Sequence, residues 1–140
     1  MTFYEKELNR INAIVYSNQK QIETVIGVRN YIDNNYDNEL NLDYLSLVRF
    51  VSKYHMLRLF KRHYGITPRQ YLIDKRIAKS KEQLKKGMSV TESCFAVGFE
   101  SVGSFSTLFK AKTGKSPSEF QKEQLSRSTL NSKSSILKMN

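Results

Sequence analysis

One stretch of this chain occurs twice in register, 49 positions apart, with residues 52–71 lying over residues 101–120. Ser52 and Ser101, Leu59-Phe60-Lys61 and Leu108-Phe109-Lys110, Gly65 and Gly114, and Pro68 and Pro117 coincide. Met56/Phe105, Thr67/Ser116 and Tyr71/Phe120 match in kind. Each copy reads as a helix opened by a capping hydroxyl and closed by glycine, followed at once by a Thr-Pro or Ser-Pro helix start. A unit of this kind built twice predicts a molecule with two similar heads.

The rest of the chain is helical in pattern, without a strand signal. Tyr4, Leu8, Ile11 and Val15 recur at spacings of 4, 3 and 4, one face of a short amphipathic helix over residues 3–18. Its simplest role is to cover the core, with a dimer or polymerase contact as the alternatives. A second helix is expected over residues 21–36, with Ile22, Val25, Ile26, Arg29 and Ile32 on one side. A polar turn then leads to Asn41, an N-cap with Asp43 in the first turn, where negative charge suits the helix dipole. The short helix that follows (Leu42, Leu45, Val48) stops near Phe50. The next is capped by Ser52, buries Met56, Leu59 and Phe60, and ends at Gly65. From Pro68 to Lys86 nothing interrupts the helix, and those 19 residues span about 28 Å. Ser89-Val90-Thr91-Glu92 and Ser116-Pro117-Ser118-Glu119 are capping boxes. After Leu125 the chain turns Ser-rich, with three basic and no acidic residues, and is expected to be disordered.

The expected organisation is therefore all-α: an N-terminal extension with a short helix (1–20), a first helix-turn-helix subdomain (21–66), a linker helix (67–87), a second such subdomain (88–125) and a basic tail (126–140). The arrangement is homeodomain-like.

The net charge of +10 comes from 23 basic and 13 acidic residues. Residues 21–125 hold 17 Lys/Arg and 11 Asp/Glu, so +6 sits on the folded part. This sign favours a polyanion, either nucleic acid or an anionic surface. No apolar run approaches a membrane span and the N-terminus lacks the order of a signal peptide, so no membrane partner is expected. The single cysteine, Cys94, excludes an internal disulfide and suits a reducing cytosol. The sequence shows no nucleophile-base pair, no phosphate-binding glycine loop and no metal-ligand spacing. No catalytic residue, cofactor or metal is expected. The one enzymatic option is Cys94 as an alkyl-group acceptor, which its expected burial disfavours.

Short helix, tight turn and Ser-capped helix recur as 42–50 with 52–64, and as 90–97 with 101–113. This is a helix-turn-helix, whose second helix enters the DNA major groove by its N-terminal half. A linker helix of about 28 Å sets two such helices roughly one turn of B-DNA apart. A monomer then reads a long asymmetric site on one side of the duplex.

From about Val25 to Phe120 the chain resembles the DNA-binding domain of the AraC/XylS family of bacterial transcription regulators. The residues that carry this are Leu45, Ser52-x-x-His55-Met56-x-Arg58-x-Phe60-Lys61, Gly65-x-Thr67-Pro68-x-x-Tyr71, Arg76-Ile77, Val97-Gly98-Phe99-x-Ser101, and Phe105-Ser106-x-x-Phe109-Lys110-x-x-x-Gly114-x-Ser116-Pro117-x-x-Phe120. The resemblance implies a seven-helix fold in two subdomains that activates transcription from upstream of a promoter and touches RNA polymerase. It also implies a cytoplasmic, nucleoid-associated protein with double-stranded DNA as partner. Only about twenty residues precede Gln21, so the chain is expected to be a short stand-alone member without a small-molecule effector pocket.

The family's base-reading positions fall on Tyr54, Leu57 and Arg58, and on Val102, Gly103, Ser106 and Thr107. Arg58 suits a bidentate guanine contact. For Tyr54, packing at the helix start competes with a base or sugar contact; Leu57 either meets a thymine methyl or is partly buried. Phosphate candidates are Ser52, Lys53, Lys61, Arg62, Ser101 and Lys110. Lys75 and Arg76 are phosphate or structural residues, Arg76 suiting an internal ion pair. Two departures stand out. The turn residue is Gly98 in the second copy but Phe50 in the first, so a different local turn is expected at Phe50. Thr107 and Gly103 leave the second copy poor in long donors, so base discrimination is expected mainly from the first. A second class of function is an interaction protein acting on RNA polymerase or another regulator, with weak DNA binding.

Overall fold

In the computed structural model residues 2–138 are described, with side chains to residue 133, and among them there are seven α-helices and no strand. These are α1 (Phe3–Asn35), α2 (Leu42–Val48), α3 (Lys53–Tyr64), α4 (Pro68–Lys85), α5 (Val90–Ala96), α6 (Val102–Thr113) and α7 (Pro117–Lys138). The chain forms two compact units that divide within α4, after Leu72. The short segment Tyr36–Glu39 belongs with the second unit, so the division differs from the boundaries expected at residues 66 and 87.

The two helices expected at the N-terminus are one. Nothing between Phe3 and Ile26 is Gly or Pro; Ser17 and Asn18 are only weak helix formers, and Gln19 is a good one. Bonds span the expected break, from Gln19 Nε2 to Glu23 Oε1 at 3.3 Å and from Thr24 Oγ1 to the Lys20 carbonyl at 2.9 Å. A reciprocal Thr2–Glu5 capping box opens the helix. The tail expectation is corrected over the described residues, 139–140 lying outside them. Residues 126–138 continue α7, because Ser, Thr and Asn lower helix propensity without breaking it.

In the first unit α1 packs on α3. The core is Val25, Val28 and Ile32 from α1, Leu45 from α2, Met56, Leu59 and Phe60 from α3, and Leu72. Phe60, Tyr64 and Tyr71 form a ring cluster with centroids 4.7 to 6.2 Å apart. The Tyr71 hydroxyl donates to Asp33 Oδ1 at 2.6 Å. Burial, helped by that carboxylate, pushes its pKa up to about 12. The expected N-terminal cover is absent: Tyr4, Leu8, Ile11 and Val15 are all exposed, because the first five turns of α1 extend beyond the unit's core.

In the second unit Ile77, Leu84, Cys94, Val97, Phe99, Phe105 and Phe109 form the core, with Phe120 and Tyr36 against it. Arg76 is structural. Its Nε donates to the Tyr36 carbonyl at 2.6 Å and its Nη2 to the Asn38 carbonyl at 2.8 Å, and its guanidinium lies 5.5 Å from the Phe99 ring centroid. Gln121 Nε2 donates to the carbonyls of Leu84 and Met88, tying α7 to the end of α4.

The two turns before α3 and α6 close in the same way. Phe50 N–H donates to the Leu47 carbonyl and Val51 N–H to that of Ser46; Gly98 and Phe99 do likewise to Phe95 and Cys94. This is the Schellman pattern, which needs a left-handed residue. Gly98 has φ 101° and Phe50 has φ 55°. The different turn expected at Phe50 is therefore not found: the two satisfied carbonyls outweigh a left-handed cost of about 1–2 kcal/mol. The Phe50 ring clashes with nothing because it is 88% exposed.

Phe50→Gly is expected to stabilise the protein by about 1 kcal/mol, read as a higher Tm. Gly98→Ala is expected to destabilise it by about 2 kcal/mol or more, since its Cβ would lie 2.9 Å from the Asp37 carbonyl oxygen and 3.0 Å from Arg76. Tyr71 holds its proton in the folded state beyond its unfolded value, so its contribution is whole below about pH 10 and fades as pH climbs toward 12. Tyr71→Phe should lose about 1–2 kcal/mol at neutral pH and flatten that alkaline decline in a pH series of thermal melts.

Candidate nucleic-acid interface

Each unit presents one helix whose far face looks away from its core. At 100° per residue, Met56, Leu59 and Phe60 occupy the inner side of α3, while Tyr54, Leu57, Arg58 and Lys61 occupy the opposite side. On α6 the inner residues are Phe105 and Phe109, and the outer face carries Gly103, Ser106, Thr107 and Lys110. Tyr54 and Gly103, Leu57 and Ser106, Arg58 and Thr107, and Lys61 and Lys110 are therefore equivalent.

Both helix starts carry a capping serine. Ser52 Oγ accepts from His55 N–H at 3.1 Å and Ser101 Oγ from Ser104 N–H at 3.2 Å. Both hydroxyls are exposed and keep their own proton to donate outward. Each lies at the positive end of a helix dipole.

On the first face Tyr54 is 72% exposed, so it stands free of the core packing that competed with a ligand role. Arg58 and Lys61 are exposed and Leu57 is half-buried. Lys53 Nζ lies 3.3 Å from Asp43 Oδ1 and 6.0 Å from the Tyr54 ring centroid. An exposed pair of this kind is worth little and yields readily to a phosphate. Arg62 is turned toward α1, donating from Nη2 to Gln21 Oε1 at 2.9 Å, and so serves the first unit's own packing as well as its charge.

On the second face Val102 and Ser106 are half-buried, and Gly103, Thr107 and Lys110 are exposed. Thr107 Oγ1 donates to the Gly103 carbonyl at 3.0 Å, which leaves only its acceptor lone pairs and methyl group outward. A Cβ at Gly103 would meet nothing within 4 Å. The outer face there is bare backbone, open to close approach. The back-bond of Thr107 was not foreseen from the sequence, although Ser and Thr inside helices make such bonds commonly.

His55 is half-buried and His63 exposed, and among the described residues no cluster of His, Cys, Asp or Glu has the makings of a metal site. Cys94 is fully buried and burial pushes its thiol up. Among the described residues no helix is long and apolar enough to cross a membrane.

Residues 48–123 match the family model described as a helix-turn-helix domain. The chain belongs to the AraC/XylS family of helix-turn-helix transcription regulators. It is 32% identical over 125 residues to the probable transcriptional regulator LumQ of Photobacterium leiognathi, covering 86% of this chain and 44% of that one. It is 34% identical over 110 residues to the bifunctional transcriptional activator/DNA repair enzyme AdaA of Bacillus subtilis, covering 78% and 52%. The chain thus spans about half the length of the curated relatives it matches. Its fold matches the DNA-binding domain of AdpA, solved in complex with a target DNA, with a TM-score of 0.69 at 22% identity, covering 74% of this chain and 94% of that one.

A thiol reagent is expected to label native Cys94 orders of magnitude more slowly than the denatured chain. Fast native labelling would return the alkyl-acceptor role to consideration.

Proposed function

We propose that this AraC/XylS family member is a sequence-specific double-stranded DNA-binding regulator in which one chain reads a site with two unequal heads. The observation that carries this is the pair of equivalent outward helix faces, each with a capped positive end and a lysine one turn past the reading positions. On the duplex α3 and α6 enter successive major grooves. Support for that comes from the repeat itself, which gives each unit its own outward helix with the same Ser-capped start and glycine close.

The heads divide the work. Arg58 reads guanine through both its donors, Tyr54 takes a base or sugar, and Leu57 meets a thymine methyl. Val102, Ser106 and Thr107 offer mainly methyl and acceptor contacts, while the bare Gly103 lets the helix lie close to the bases. Ser52, Lys53, Lys61, Arg62, Ser101 and Lys110 hold phosphates. Contact with RNA polymerase, an activating role and a place on the cytoplasmic nucleoid rest on the family resemblance alone.

Anisotropy titrations on mixed-sequence and selected duplexes at several salt concentrations test this reading. Arg58→Ala should lower affinity for the selected duplex about 5- to 150-fold, the equivalent of about 1–3 kcal/mol, and leave mixed-sequence binding nearly unchanged. Lys61→Ala with Lys110→Ala should weaken both alike and lower the slope of log K against log salt by about 2. Loss of discrimination in the lysine variant with none in Arg58→Ala would reverse the assigned roles.

A further inference from the structure

The outward side of α6 is short of donors, which limits the base edges it can meet. The helix contains no Arg, Asn or Gln, the side chains that set paired hydrogen bonds on one purine. At 100° per residue the side opposite Phe105 and Phe109 is formed by Gly103, Thr107, Lys110 and Ala111, all exposed. The equivalent side of α3 holds Tyr54, Arg58, Lys61 and Arg62. Lys110 stands where α3 has Lys61, one turn beyond the reading positions. The other lysine of α6, Lys112, is engaged by Asp74 Oδ1 at 2.9 Å.

Thr107 is the centre of that side, and one bond settles its chemistry. Its Oγ1 donates to the Gly103 carbonyl at 3.0 Å, so the hydroxyl proton is turned into the helix. What remains outward is an oxygen that accepts and a methyl group. A Cβ at Gly103 would meet nothing within 4 Å, and its absence lets a base edge come up to Thr107. Base edges answer such a surface differently. Guanine presents two acceptors, which would lose water there and gain no donor. Cytosine presents an amino donor and no methyl group. Thymine presents a C5-methyl group that packs on the threonine methyl, and its paired adenine presents an amino donor.

Resting on the two-headed reading above, we propose that α6 recognises a pyrimidine by its C5-methyl group, packed on Thr107 Cγ2. The half of the DNA site under α6 then carries thymine opposite Thr107. A 5-methylcytosine takes the place of that thymine better than cytosine does, so cytosine methylation at this position strengthens binding.

Anisotropy titrations of the full chain on a duplex selected from a random pool test this. The α6 half is the half that Arg58→Ala leaves sharp. Each thymine is replaced in turn by deoxyuridine, which removes the methyl group and keeps the pairing. One replacement in the α6 half should weaken wild-type binding about fourfold, the effect of one buried methyl group. Thr107→Ser keeps the bond to Gly103 and loses the methyl group, so for this variant the same replacement should be silent. Thr107→Val keeps a methyl group and should retain the effect. Both variants change an exposed position and leave the core untouched. Cytosine at that position should bind about fourfold more tightly when methylated at C5. No thymine in the α6 half, no deoxyuridine effect there, an effect that survives in Thr107→Ser, or equal binding of the two cytosines each overturn the proposal. The two-headed reading outlives those results as long as Arg58→Ala blurs only the α3 half. A pool that yields no selected duplex overturns both.

Discussion

Everything this protein presents to a partner hangs on the left-handed residue between a short helix and the helix that follows it. Two backbone bonds close that corner in each unit, at Phe50 and at Gly98. Because φ at this one residue sets where the next helix points, it also sets where Tyr54, Arg58 and Lys61, or Gly103, Thr107 and Lys110, are aimed. The second corner is pinned further by Arg76, which binds the Tyr36 and Asn38 carbonyls beside it. Glycine is required at residue 98 twice over, by its backbone angle and by the atoms a side chain would strike. At residue 50 only the angle is demanding, and open solvent beside it admits a phenylalanine.

Much of this was legible in the residues. Ser52, Ser89, Ser101 and Ser116 cap as their positions suggest, Gly65 and Gly114 close α3 and α6, and the apolar spacing of the repeats gives their inner faces. These signals are local, and local chemistry decides them. What was not legible depends on a balance between terms. Phe50 was expected to avoid a strained angle that the closing bonds in fact hold. A break between residues 18 and 21 and disorder after Leu125 were expected, yet weak helix formers without proline or glycine only dilute a helix. The exposure of Tyr4, Leu8, Ile11 and Val15 is a tertiary fact, since periodicity shows that a face exists and not what covers it.

The two heads are unequal for reasons visible at single atoms. Arg58 extends a fork of donors from an exposed position, while Thr107 spends its only donor on its own helix. Such inequality suits a chain whose two helices read different sequences in one site. In the proposed reading, the half of specificity that needs long donors falls to α3, and α6 contributes a close fit to the groove. Family membership fixes the fold that carries these faces; the side chains on them are this chain's own.

Selection of bound duplexes from a random pool, using the full chain, tests two-headed readout most directly. An asymmetric motif spanning two successive major-groove turns, with stronger base preference in the half that Arg58→Ala blurs, is the expected result. Recovery of no enriched motif, with only salt-sensitive background binding, would contradict it.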